Sequence, residues 1–79
     1  MPYIPEAERE QIALGFPPET TGQLTYVIYL ACLESLPDEP RFGDYTAILG
    51  CLEAVKFEIA RRHLAPYEDA KLAENGDVP

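Results

Sequence analysis

Between positions 44 and 64 apolar side chains return every three or four residues: Tyr45, Ile48, Leu49, Leu52, Val55 and Ile59. That is the spacing of a core-facing helical stripe, with Glu53, Lys56, Glu58, Arg61 and Arg62 at the wet positions. Asp44 reads as the N-cap of this long helix. Pro66 reads as its stop or kink, because the ring has no N–H to donate and clashes with the carbonyl of Arg62. Gly50 lies mid-helix at a cost of about 1 kcal/mol relative to Ala, which implies close approach of another backbone.

A second helix is predicted over 20–36. Thr20-Thr21-Gly22-Gln23 matches the capping box, in which hydroxyl and amide satisfy free backbone N–H groups at a helix start. The run 24–33 is apolar almost all round. Its Tyr, Val and Ile content also suits a buried strand, but its length and the absence of a second strand to pair with favour a helix that ends before Pro37. Residues 1–20 form an arm punctuated by Pro2, Pro5, Pro17 and Pro18, with a two-turn helix over 6–14, Pro5 in its first turn and Gly15 ending it. After Pro66 a short helix restarts over 67–74. Asn75-Gly76 is its stop signal, leaving 75–79 as a tail. The expected fold is a single all-α domain over 1–79: a small helical bundle in which two main helices form an αα-hairpin flanked by short terminal helices.

A chain of 79 residues buries only about 60–65% of the surface that its unfolded form exposes. Against roughly 1.5 kcal/mol of ordering entropy per residue the hydrophobic gain comes out near zero. Such chains add disulfides, a metal or a partner subunit. Cys32 and Cys51 are the only cysteines and His63 the only histidine, too few for a structural zinc site. The cysteines could pair, but their apolar neighbours suit small buried thiols better. The 24–33 segment has more apolar surface than one packing face needs. Either the N-terminal arm covers the remainder or the bundle is completed by homo-oligomerisation, a dimer being the commonest form.

Fourteen acidic against six basic residues give a net charge of −8, which disfavours nucleic acid polymers as partners. No segment approaches the ~20 apolar residues of a membrane span, and the opening MPYIPEAERE lacks the basic and apolar runs of a signal peptide. A cytoplasmic location, with reduced thiols, is expected.

Catalytic constellations are weak. Glu53 and Glu58 stand about 140° apart around a helix, and Cys51 and His63 are separated by about 18 Å of helical rise. Asp38, Glu39 and Asp44 do not have the spacing of a calcium loop. There is no phosphate-cradling glycine loop, and no cofactor is expected. One concentration of charge stands out: Lys56, Arg61, Arg62 and Lys71 comprise four of the six basic residues, interleaved with His63 and Tyr67 and within reach of Tyr45. Arginine suits bidentate recognition of phosphate or carboxylate, and an aromatic ring can stack on a base. The same residues could equally form helix-surface pairs, Arg61 and Arg62 with Glu58 and Lys71 with Glu68.

The chain resembles a short, uncharacterised family found in phages and bacteria. The likeness is carried by Met-Pro-Tyr-Ile at 1–4, Gly-Gln-Leu-Thr-Tyr at 22–26, Leu-Glu-Ala-Val-Lys-Phe-Glu-Ile-Ala-Arg-Arg at 52–62 and Ala-Pro-Tyr-Glu-Asp-Ala-Lys-Leu-Ala-Glu-Asn-Gly-Asp-Val at 65–78. Departures from its pattern are Gln23, Thr25, Ile59-Ala60 and Pro79. The resemblance implies size, fold and a phage context, but no activity. Two functions compete. One is a non-catalytic homo-oligomer that sequesters an anionic, nucleotide-like molecule, as compact phage anti-defence proteins do. The other is an acidic helical module that docks on a basic protein partner. A small enzyme comes last.

Overall fold

The computed structural model describes all of residues 1–79, in helices, turns and irregular segments. Helix α1 spans Glu6–Ala13, α2 Thr21–Glu34, α3 Phe42–Ile59 and α4 Ala65–Asn75, with a π-helical turn, Ala60–Leu64, joining the last two. The chain divides into two compact units, Met1–Pro40 and Arg41–Pro79.

In the first unit Pro5 stands one position before α1, and its carbonyl accepts the N–H groups of Glu8 and Arg9 at 3.0 and 3.1 Å. Gly15 ends the helix with φ +96°, a conformation open to glycine without a Cβ penalty. The N–H of Gly15 donates to Ile12 O and that of Phe16 to Gln11 O, so the last carbonyls of α1 are satisfied in the Schellman pattern. The arm then folds onto the start of α2. Ile4 is the residue that becomes buried, at 9% exposure. Its Cγ2 would lie 3.3 Å from a Cβ at Gly22, which is why a glycine serves in the first turn of α2. Arg9 Nη1 donates to Ile4 O at 2.7 Å and ties α1 to the same arm.

The start of α2 is capped as a variant of the expected box. Thr20 Oγ1 accepts the Gln23 N–H at 3.1 Å, but Gln23 Oε1 reaches back to the N–H of Glu19, at 2.8 Å, instead of that of Thr20. The helix closes at Glu34, two residues short of the predicted end. Ser35 Oγ donates to Cys32 O, and the Leu36 N–H closes a tighter turn on Leu33 O.

The second unit is one helical run over 42–75. Arg41, not Asp44, is the N-cap of α3. Asp44 lies three residues further on, and its Oδ2 accepts the Arg41 N–H at 2.9 Å. An arginine side chain has no acceptor to return that bond, so half a capping box starts the helix. Pro66 does not stop the helical run, but the regular α-helix is interrupted just before it by the π turn. Ile59, Ala60, Leu64 and Ala65 all keep right-handed helical angles. The Ala65 N–H donates to Ala60 O five residues back, and this single wide turn frees the backbone from the i–4 arrangement that the proline ring obstructs. Past it, α4 runs to Asn75, where Gly76, at φ +89°, donates to Leu72 O.

Within the second unit, a single helical run, the 45–59 stripe has no other element to pack against. Leu49 is 64% exposed and Val55 57%, and Tyr45, Leu52 and Ile59 are exposed with them. A Cβ at Gly50 would meet nothing within 4 Å, so the second unit does not itself make the close approach expected there. Cys32 and Cys51 are free thiols, and Cys51 is exposed instead of buried.

Candidate anion-binding site

Arg61 and Arg62 lie in the π turn, one turn beyond Glu58. Both converge on that single carboxylate. Arg61 Nη2 is 2.9 Å and Arg62 Nε 2.8 Å from Glu58 Oε2, and each arginine side chain remains 67% exposed. Arg61 Nη2 also reaches Glu58 Oε1 at 3.2 Å. The helix-surface pairing foreseen for these arginines is therefore present. It leaves an unbalanced group, with two guanidinium charges on one carboxylate charge. Glu58 occupies one nitrogen of each guanidinium, so most of their N–H donors remain open to a further anion.

Within α4 the pattern recurs with a ring. Lys71 Nζ stands 5.8 Å from the centroid of Tyr67 and 3.3 Å from Glu74 Oε2. The expected partner of Lys71 was Glu68. The lysine instead turns to the acid in the last turn of α4, where the negative end of the helix dipole also favours a cation. Lys56 pairs with Glu53 at 3.4 Å and lies 5.8 Å from the Phe57 ring. His63 belongs to the same π turn as the arginines. One residue inserted by a π turn rotates everything after it by about 100°, so Tyr67 and Lys71 are not placed where an uninterrupted α-helix would put them.

The first unit holds a feature that the sequence reading passed over. A surface depression of about 430 Å³ lies between the arm and α2, with Tyr3, Arg9, Tyr26 and Tyr29 on its walls. The available signal was Tyr26 and Tyr29, one turn apart on α2. No group of three or more His, Cys, Asp or Glu is arranged to hold a metal ion, and no helix is long and apolar enough to cross a membrane.

These features define a small all-helical protein with exposed apolar faces and one cationic turn. The chain belongs to the family described as a domain of unknown function, DUF6899, which matches residues 1–78. No curated protein and no solved structure matches the chain.

Proposed function

We propose that this is a non-catalytic binding protein, acting as a homo-oligomer, that takes an anionic, nucleotide-like small molecule at the Arg61–Arg62 turn. The observation that carries the reading is the sharing of Glu58 by two exposed arginines. In a chain of net charge −8, that turn is where positive charge exceeds its local partners. Tyr67, one turn along and 61% exposed, offers a face for a base to stack on, and Lys71, His63 and Lys56 add positive or hydrogen-bonding groups nearby. The resemblance to phage and bacterial chains makes sequestration of a signalling nucleotide, an anti-defence role in the host cytoplasm, the use that such binding fits. The chain has no Trp and five Tyr, so a co-purified nucleotide is read directly as excess absorbance near 260 nm. Charge reversal, R61E with R62E, is expected to remove that ligand while leaving the assembly intact. A preparation that carries no such ligand, and whose melting no nucleotide shifts, would remove this reading.

The second reading is an acidic module that docks on a basic protein. It is favoured by large apolar side chains left exposed on α2, α3 and α4 beside an acidic surface, Leu24, Leu33, Phe57 and Leu72 among them. Pull-down with a basic partner that survives R61E and R62E would favour it over the first.

A further inference from the structure

We infer that the depression between the arm and α2 is a second ligand site, one that binds an aromatic monocarboxylate. The Arg9 guanidinium takes the carboxylate, and the rings of Tyr26, Tyr29 and Tyr3 take the planar body. The inference is drawn from the first unit alone and does not rest on the reading of the Arg61–Arg62 turn.

Local structure fixes the walls. Gly22, Tyr26 and Tyr29 recur at the spacing of one face of α2. The arm crosses that face at Gly22, where Ile4 Cγ2 and Met1 O lie 3.3 and 3.6 Å from the place a Cβ would take. One and two turns further along, at Tyr26 and Tyr29, the depression of about 430 Å³ opens beside the arm. Pro2 and Pro5 restrict the arm's backbone, and the Glu8–Gln23 hydrogen bond fastens α1, which carries Arg9, to α2. The volume falls within the range of about 300–1,000 Å³ that small-molecule sites occupy. No rearrangement is needed to form it.

Arg9 supplies the charge. Its Nη1 donates to Ile4 O at 2.7 Å, which uses one of the guanidinium's N–H donors and holds the others in place. Glu6 lies three residues back on α1, within reach along the helix, but the guanidinium turns to the arm instead. The four ion pairs of the chain all lie in the second unit. A positioned guanidinium, with no carboxylate of its own unit paired to it, is set for bidentate recognition of a ligand's carboxylate.

The surroundings select the ligand's charge and shape. Met1–Pro40 carries seven acidic side chains and, in Arg9, one basic one. One guanidinium balances one carboxylate, whereas a nucleotide would bring a second negative charge into that acidic unit. Tyrosine rings alone would suit a quaternary ammonium ion, but Arg9 places a like charge in the same depression. A planar aromatic body gains stacked and edge-to-face contacts with Tyr26 and Tyr29 that an aliphatic chain does not. The tyrosine O–H groups are donors for the lone pairs of the carboxylate that Arg9 leaves open.

Titration of the full chain with 2-naphthoate at neutral pH, followed by NMR, tests the site. Saturable binding of one ligand per chain is expected, with a Kd on the order of 1 mM or tighter and Overhauser contacts from the naphthalene ring to Tyr26 and Tyr29. 2-Naphthamide has the shape without the charge, and acetate the charge without the ring. Each is expected to bind about tenfold more weakly or worse, and AMP to leave the Tyr26 and Tyr29 signals unmoved. R9K keeps a donor for Ile4 O but loses the planar fork, so it is expected to weaken binding about tenfold. Y29S, at a position 49% exposed, removes one aromatic wall and is expected to weaken binding severalfold with helical circular dichroism unchanged. If R9K fails to fold, Y29S and the naphthamide comparison decide. Absence of saturable binding overturns the inference, and so does equal binding of 2-naphthamide. Displacement of 2-naphthoate from the tyrosines by AMP, or affinity indifferent to Y29S, overturns it as well.

Discussion

Gln23 Nε2 donates a 2.6 Å hydrogen bond to Glu8 Oε1, across fifteen residues of chain, and so fastens α1 to the start of α2. The same side chain accepts the Glu19 N–H through its oxygen. One amide thereby serves both as a cap and as a bridge between helices. Replacing it with Leu removes both bonds and leaves the Glu19 N–H without its partner. A loss of about 2–4 kcal/mol is expected, the sum of a cap and a bond to a charged acceptor. Q23E is expected to be worse at neutral pH, because a carboxylate would then face Glu8, and to recover as pH falls through the carboxylate range. Thermal melts of both variants across pH check this; equal melting of Q23E and the parent at neutral pH would contradict it.

Gly22 and Gly50 both lie inside helices, and only one of them meets another part of the chain. G50A gains helix propensity of about 1 kcal/mol with no contact to strain. It is expected to raise the melting temperature unless copies pack closely on that side. At Gly22 the added methyl would press on Ile4 Cγ2 at 3.3 Å. G22A is therefore expected to loosen the arm while leaving α2 helical, seen as faster proteolytic cleavage before Pro5 with little change in helical circular dichroism.

Glu58 offers a direct probe of the anion site. Its pairs with Arg61 and Arg62 are exposed, so E58Q is expected to cost no more than about 1 kcal/mol of stability. It also releases two guanidiniums from their carboxylate. Nucleotide affinity should then rise severalfold, while R61E with R62E abolishes binding. If E58Q instead unfolds the protein without improving binding, the arginines serve the helix and not a ligand.

Helix periodicity made the elements legible, since local hydrogen bonding is set by nearby residues such as Thr20, Gly15 and Gly76. What covers the apolar positions was not legible. Tyr45, Leu49 and Val55 have the spacing of a core whether the facing surface belongs to this chain or to another. Among the site residues, the sharing of Glu58 by Arg61 and Arg62 followed from i+3 and i+4 spacing alone. The Glu8–Gln23 bridge and the seat of Ile4 over Gly22 depend on how the arm folds back, which no short-range pattern encodes. Pro66 was expected to stop or kink the helix, but the form that the interruption takes was not legible. Its clash is forbidding in a regular α-helix, and one residue of slack, taken as a π turn, relieves it.

That turn makes Pro66 the sharpest remaining handle on the site. An interior helical proline costs about 3 kcal/mol, of which the wide turn recovers a part, and π turns are frequent at functional positions. P66A restores the missing N–H, so the backbone over 60–65 can close into regular α-helix. Stability is expected to rise, by less than the full cost of the proline. Loss of the inserted residue would also rotate α4 by about 100° relative to α3, carrying Tyr67 and Lys71 away from their present relation to Arg61 and Arg62. A more stable protein with weaker nucleotide binding is the expected pair of results, read from melting and from titration of one preparation. If P66A gains stability and binds as before, Tyr67 and Lys71 are not part of the site, and the arginines hold the ligand without them.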